Sequence, residues 1–301
     1  MTVVSLDTRR RDKIGGSEAA SACGVDPFRS RIMLWAEKTG RIERPETEAM
    51  KWGKLLEPVV FQELERQGFD VVPAPDVEWS DDVDLWMVGH PDGFVDIDGL
   101  RGVLEIKTTN VFASHDWNSD AGAPLAYLVQ VHHYMALTGL NVALLACLVG
   151  GQRLELRIVY RDVAIIGAMM KREREMLDYV RTDRPPPPDG SKSAGDAIRA
   201  LYSETGRATI RLSGDGYDAV KELRARKEQR KIIERQEAEL EQRIQLEMGD
   251  AWAAISPYDE NVAEWGMVDG HRFDTKRFRA DHPEFDLDYY MPTRHRRFVL
   301  K

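Results

Sequence analysis

Cysteine is nearly absent: Cys23 and Cys147 are the only two in 301 residues. That excludes a disulfide framework, a four-cysteine zinc site and an iron–sulfur cluster, each of which needs more thiolates. Long apolar runs are also missing. None approaches the roughly 18 residues of a membrane span, and the first residues lack the basic-then-apolar order of a secretory leader. A cytoplasmic protein with no membrane association is the expectation. Positive charge is short as well, the net charge being −9. Bulk attraction therefore cannot coat a polyanion, and any phosphate contacts must come from local basic clusters. What remains is 43% apolar and 31% charged, a globular profile. The length suits one large domain, or a catalytic domain with an appendage.

Punctuation and periodicity divide the chain. Gly15-Gly16-Ser17-Glu18 before Ala19-Ala20-Ser21-Ala22 reads as a loop opening a short helix, with Ser17 as N-cap. A second helix is expected over Ile32 to Lys38, closed by Gly40. From Glu48 to Gln67 the residues Trp52, Leu55, Leu56, Val59, Val60 and Leu64 make an amphipathic stripe, and Pro58 should kink it or mark a junction. Short strands are expected at Asp70–Val72, Leu85–Val88, Phe94–Ile97 and Val103–Thr108, with a turn from Asp98 to Gly102. Leu125 to Leu137 reads as a helix, and the unbroken apolar run Val142–Val149 as a strand covered on both faces. Arg153 to Tyr160 alternates apolar with charged residues, as an outer antiparallel strand does, and Val163 to Tyr179 as a helix ends the block. Trp35, Trp52, Trp79 and Trp86 are expected in the core or a cleft wall.

Pro185 to Pro188 cannot continue a helix and implies an extended linker. The expected organisation is thus a core over 1–184, a linker over 185–190 and an extension over 191–301. The extension should hold a charged helix from Gly216 to Met248. In it Arg226, Lys227 and Arg230 interrupt the apolar stripe and argue against a long parallel coiled coil. A small α+β module should follow, with a helix near Thr275 to Ala280.

The chemistry concentrates in two adjacent segments. Residues two apart on a strand share a face, so Glu105 and Lys107 point together while Ile106 faces a core. Asp92, in His90-Pro91-Asp92-Gly93, lies on the preceding strand. Two carboxylates and an ammonium in one place can hold a hard divalent cation and set a positive charge beside a water, which phosphodiester hydrolysis requires. Met alone, such a trio would equally suit surface charge. Glu57 sits at the margin of its helical stripe. Gln130 and Tyr134 are four apart and share a helix face, where Tyr134 by itself reads as a packed aromatic. His132 and His133 point about 100° apart and make a poor metal pair, so a structural or substrate-edge place suits them better.

Five blocks in fixed order, spanning roughly residues 10 to 180, make the chain resemble the PD-(D/E)XK nucleases of the lambda exonuclease branch, the YqaJ-like viral recombinases. They are Ile14-Gly15-Gly16-Ser17-Glu18-Ala19, Trp52-Gly53-Lys54-Leu55-Leu56-Glu57, His90-Pro91-Asp92-Gly93, Leu104-Glu105-Ile106-Lys107, and Ala126 through Tyr134.

The resemblance implies an α/β, restriction-endonuclease-like core: a mixed central sheet flanked by helices, carrying the helical and α+β extension. It implies that Asp92, Glu105 and the backbone carbonyl of Ile106 bind Mg²⁺, with Mn²⁺ as a substitute. Glu57 would act through water or a second ion. Lys107 would orient or deprotonate the attacking water, Gln130 would hydrogen bond near it, and Tyr134 would be an accessory. Arg10 and Ser17 match positions that grip a DNA 5′-phosphate, and a glycine loop at a helix N-terminus is independently a plausible anion geometry. The implied activity is 5′-to-3′ exonuclease action on linear double-stranded DNA, leaving 3′ overhangs for a single-strand annealing protein. A homo-oligomer, a trimeric ring, is implied with it, in a bacterial host's cytoplasm if the gene is phage-borne. A restriction- or repair-type endonuclease and a non-catalytic DNA-end binding protein stand as alternatives. The basic residues Arg272, Lys276, Arg277, Arg279, Arg294, Arg296 and Arg297 suit phosphate contacts or, equally, an assembly module.

Overall fold

A computed structural model describes residues 11–75, 78–80, 86–111, 117, 122–204 and 208–283. In chain order its elements are β1 (Ile14–Gly15), α1 (Gly16–Cys23), α2 (Arg31–Lys38), α3 (Glu48–Arg66), β2 (Val71–Pro73), β3 (Trp79–Ser80), β4 (Met87–Gly89), β5 (Gly93–Ile97) and β6 (Leu100–Thr109). There follow α4 (Leu125–Thr138), β7 (Val142–Val149), β8 (Arg153–Tyr160), α5 (Val163–Arg181), α6 (Lys192–Leu201), α7 (Gly214–Met248), β9 (Ala253–Ile255), β10 (Asn261–Glu264) and α8 (Thr275–Asp281). The chain divides into two units, Met1–Ser203 and Glu204–Lys301.

The first unit is a mixed α/β core. Its main sheet has the order β2-β5-β6-β7-β8; β6 and β7 run parallel, and every other neighbouring pair is antiparallel. The apolar run of β7 occupies an interior position and is buried along nearly its whole length, as a doubly covered strand must be. Period-two alternation on β6 sorts the two faces. Leu104 and Ile106 join Val60 and Leu64 of α3, while Val103 packs with Val131, Tyr134 and Met135 of α4. Asp98 and Gly99, both at positive φ, make the two-residue hairpin between β5 and β6. Such a turn matches the strands' twist and brings Gly93 opposite Leu104. A second small sheet, β1-β4-β3, and helices α1, α2, α4 and α5 enclose a further core around Leu34, Trp35, Trp86, Met87 and Met176.

Several expectations need correcting. Ser17 is not the N-cap of α1: Gly15 holds that place, and the Glu18 carboxylate accepts the Gly15 N–H at 2.9 Å. The carboxylate at the third helical position thus satisfies the cap residue's own N–H, as in a capping box. Pro58 does not break α3, which runs on through it. The proline is exposed, so water can serve the Lys54 carbonyl it cannot reach. Only the second half of the α3 stripe is covered: Val60 and Leu64 are buried, but Trp52 stays 55% exposed, and Leu55 and Val59 are exposed with it. Trp52 is thus not a core residue, while Trp35 and Trp86 are. The core does not stop at Arg184. Helix α6 packs on α2, where Ser193 Oγ accepts the Ser30 N–H at 3.0 Å, and the first unit extends to Ser203.

The second unit is different in kind. α7 is 35 residues long and none of its residues is buried. β9 and β10 form an isolated antiparallel pair, and α8 is short and exposed.

Candidate active site

The β5–β6 hairpin sets the site's frame. Continuing its register by one step places Asp92 across from Glu105, and Asp92 Oδ2 accepts the Ile106 N–H at 2.6 Å. Glu105 is buried to 1% exposure, at the point where β6 faces α4. Its Oε1 accepts from the Lys107 ammonium in a very short contact, and from Gln130 Nε2 at 2.6 Å. Gln130 also reaches the Tyr134 hydroxyl at 3.2 Å, so the i,i+4 pair on α4 is one hydrogen-bonded unit. Lys107 lies 5.6 Å from the centre of the Tyr127 ring. Glu57, half-buried on α3, completes the group electrostatically: it is coupled to Asp92, Lys107 and Glu105.

The charges show what the site wants. Burial, and then repulsion from Asp92, push the Glu105 carboxyl up to about 8 even though Lys107 opposes the shift. Burial likewise raises Asp92, against the pull of Lys107 and the Ile106 N–H. Glu57 is raised by burial and by Asp92. For Lys107, burial works against the ammonium, but Glu105 and Asp92 outweigh it and hold the lysine above its ordinary value. Three carboxyl groups are thus desolvated around one ammonium, and Glu105 Oε2 is buried with no hydrogen-bond partner among the described residues. An orphaned carboxylate oxygen beside a second carboxylate fits a hard divalent cation, which takes oxygen ligands. Among the described residues no three His, Cys, Asp or Glu side chains gather to hold a metal unaided. A cation here would therefore rest on Asp92 and Glu105 and need a further oxygen, for which the Ile106 carbonyl and Glu57 are candidates.

Not every expected residue joins this group. Ser17 is exposed on the first turn of α1, where its carbonyl accepts Arg29 Nη2 at 2.6 Å. Arg10 lies outside the described residues. Arg11, next to it, donates from Nε to the Lys38 carbonyl at 2.8 Å and from Nη2 to the Thr39 carbonyl at 2.5 Å. It serves the carbonyl end of α2. Of the extension's basic residues, Arg272, Lys276, Arg277 and Arg279 are exposed, while Arg294, Arg296 and Arg297 lie outside the described residues.

Two supporting features escaped the sequence reading. His133 is fully buried, with Nδ1 on Glu173 of α5 at 2.8 Å and Nε2 on the Val88 carbonyl of β4 at 2.8 Å. Burial opposes its charge, yet the Glu173 carboxylate and these two hydrogen bonds hold it above its ordinary value as an imidazolium. It ties α4, which carries Gln130, to the strand that leads into Asp92. The available signal was Glu173 itself, a lone acid on the apolar stripe Ile166, Met169, Met176, Leu177 and Val180. The second is a cradle for Tyr134. A Cβ on Gly16 would stand 2.4 Å from its ring and one on Gly89 2.7 Å, so both positions need glycine for close approach.

Residues 7–141 match the YqaJ-like viral recombinase domain. The uncharacterized protein YqaJ of Bacillus subtilis strain 168 is 30% identical over 307 residues, covering 97% of this chain and 92% of that protein. The extension is therefore shared with that relative. The alkaline exonuclease LHK-Exo of Laribacter hongkongensis is 20% identical in the part compared, with a TM-score of 0.48, covering 58% of this chain and 91% of its own. A phage-related exonuclease of Haemophilus somnus 129PT is 14% identical with a TM-score of 0.47, covering 59% and 97%. With a relative of that identity along nearly its whole length, this chain belongs to the YqaJ-like viral recombinase family.

Proposed function

We propose that the protein is a divalent-metal-dependent deoxyribonuclease that hydrolyses linear double-stranded DNA from its 5′ ends, leaving 3′ single strands for an annealing protein. The observation that carries the reading is the cluster of half-buried Asp92 and Lys107 on buried Glu105 and Gln130, with one Glu105 oxygen unpartnered among the described residues. Asp92, Glu105 and the Ile106 carbonyl would hold Mg²⁺, or Mn²⁺ in its place, with Glu57 acting through water or on a second ion. When bound, such a cation supplies Lewis-acid charge to the phosphoryl group.

The chain's own residues divide the remaining work. Without a cation, Glu105 and Asp92 hold Lys107 above its ordinary pKa, as an ammonium; with their charge taken up by a bound cation, Lys107 would be free to orient or deprotonate the attacking water. As an ammonium it also offsets negative charge gathering on the phosphorane. Gln130 fixes the Glu105 carboxylate, Tyr134 fixes Gln130, and Tyr127 walls the Lys107 ammonium. Arg10 and Ser17 would receive the terminal 5′-phosphate; Ser17 lies exposed on the first turn of α1, where helical N–H groups favour an anion. A homo-oligomer, a ring of three, and an annealing partner belong to the same proposal.

Linear duplex labelled at the 5′ or the 3′ end, with closed circular DNA alongside, in Mg²⁺ or EDTA, tests this directly. Loss of 5′ label first, Mg²⁺ dependence and an intact circle are expected. Lys107→Ala should lower the rate roughly 100-fold to 1,000-fold or more without unfolding the protein. Cutting of the circle would favour an endonuclease, and inertness on every substrate a DNA-end binding protein.

A further inference from the structure

Helix α7 spans 35 residues, about 52 Å, with no buried side chain. In proteins most helical stability comes from packing an amphipathic face against something else. Leu223, Ile233, Leu240 and Ile244 are all at least one-third exposed. They fall on two seven-residue series: Leu223, Arg230, Glu237, Ile244, and Ala219, Arg226, Ile233, Leu240, Glu247. These series are the a and d positions of a coiled coil, occupied partly by charge.

The placement of that charge is directional. The arginines fall in the first half of the seam and Glu237 in the second. A parallel pair of such helices would set Arg226 on Arg226, Arg230 on Arg230 and Glu237 on Glu237. We propose that α7 packs antiparallel against α7 of a second copy, with Leu223 of one chain opposite Leu240 of the other. The same register layers Ala219 on Ile244, Arg226 on Glu237 and Arg230 on Ile233. Each layer occurs twice by the two-fold symmetry.

The flanking positions agree with this register. Lys227 faces Glu234, Glu222 faces Arg243, and Gln229 faces Gln236, so no like charges oppose one another at these positions. Arg230 is held by Glu234 of its own helix at 3.1 Å. Its stem can therefore cover Ile233 while the charge remains paired. Sliding by one heptad spoils the match, placing Leu223 on Glu247 and Ile244 on Arg226. The partner is a second copy because the complement of the arginine half of this seam is its own glutamate half. This inference does not depend on the nuclease reading.

Cysteine placement in the full-length protein tests it. Leu223→Cys and Leu240→Cys chains are mixed in a glutathione buffer. The native thiols interfere little, because burial pushes both Cys23 and Cys147 up to about 12. The mixed 223–240 disulfide should exceed the two same-residue disulfides. One helix cannot make it alone, since the positions lie about 25 Å apart along the axis. Excess of the 223–223 disulfide would mean a parallel pair. Cross-linking no faster than with Arg235→Cys, on the outward face, would mean a single solvated spacer helix. Either result overturns the proposal. Independently, Glu237→Arg should weaken self-association roughly 10-fold to 100-fold, and Arg226→Glu with Glu237→Arg should restore it. Association unchanged in the single variant, with helix content retained, would also overturn the antiparallel seam.

Discussion

The two units handle charge in opposite ways. In the first, ionisable groups are buried or half-buried and converge: Glu105, Lys107 and Asp92 at one point, His133 and Glu173 at another. In the second, ion pairs run along one exposed helix, as Arg226 with Glu222 and Arg235 with Glu239. Buried charge is costly and persists only with tightly placed partners, whereas exposed pairs contribute little and constrain little. The first unit therefore concentrates its ionisable groups, while the second spreads its charges along an exposed helix.

The sharpest way to break that contrast is to remove one member of the buried pair behind the site. Glu173→Ala removes the hydrogen-bonded counter-charge of the His133 imidazolium, leaving only the weaker influence of Glu18, and loss of one partner of a buried pair costs about 3–5 kcal/mol. Denaturant unfolding should register that loss; a change below about 1 kcal/mol would show the pair to be solvated. The same pair has a pH signature. His133 is raised in the folded state, so its contribution is complete below about pH 6.5 and fades as pH climbs through its folded value.

Glu105 pushes in the same direction for a different reason. Its folded carboxyl sits at about 8, above the roughly 4.3 of an unfolded chain, so the folded protein holds that proton more tightly. Stability without metal should therefore fall as pH rises from about 4.3 to about 8. Glu105→Gln should flatten that part of the profile and raise Tm at pH 8 while changing little at pH 4. A Tm profile in EDTA that keeps its full slope in the variant would show that Glu105 is not the group responsible. Divalent cation should favour the ionised carboxylate and restore stability at high pH in the unaltered protein alone.

Next in size is the cradle of Tyr134. Gly16→Ala would put a methyl 2.4 Å from the ring, and Gly89 also lies so close that a Cβ there would stand 2.7 Å from it, so the aromatic is tightly cradled. Overpacking of this kind costs about 1–3 kcal/mol. Tyr134 positions Gln130, and Gln130 holds Glu105, so the hydrolytic rate should fall with stability. A variant that loses stability yet keeps its full rate would detach Tyr134 from the site.

Much of the first unit could be read from the sequence because local rules and tertiary packing agree there. Alternation on β6 put Glu105 and Lys107 on one face, the continuous apolar run of β7 marked an interior strand, and the i,i+4 spacing joined Gln130 to Tyr134. The failures lie where a distant partner decides. Nothing within α3 tells that Trp52 and Leu55 go uncovered while Val60 and Leu64 meet the sheet. Ser17 loses the expected capping role because α1 already begins at Gly16, which puts Ser17 inside the first turn and leaves Gly15 as the cap. Helix α6 was overlooked because prolines precede it, although its Ser191 cap and its seat on α2 make it part of the core. His133 reads from sequence as structural or substrate-edge, and only Glu173, forty residues on, shows which structural role it has.

The smallest effect should come from the second unit. Arg235 and Glu239 pair at 3.2 Å on the outward side of α7, both well exposed. Such an i,i+4 pair contributes about 0.3–0.5 kcal/mol, and the arginine precedes the glutamate, the less favourable order against the helix dipole. Alanine has a slightly higher helix propensity than arginine, so Arg235→Ala regains part of what it loses. Stability should change by less than about 0.5 kcal/mol. Raised salt should shrink even that, since exposed pairs are screened, and hydrolysis should be unaffected. A loss comparable to that of Glu173→Ala, about 3 kcal/mol or more, would mean this face of α7 is buried against something in solution. The contrast between a charged core and a solvated helix would then fail at its simplest point.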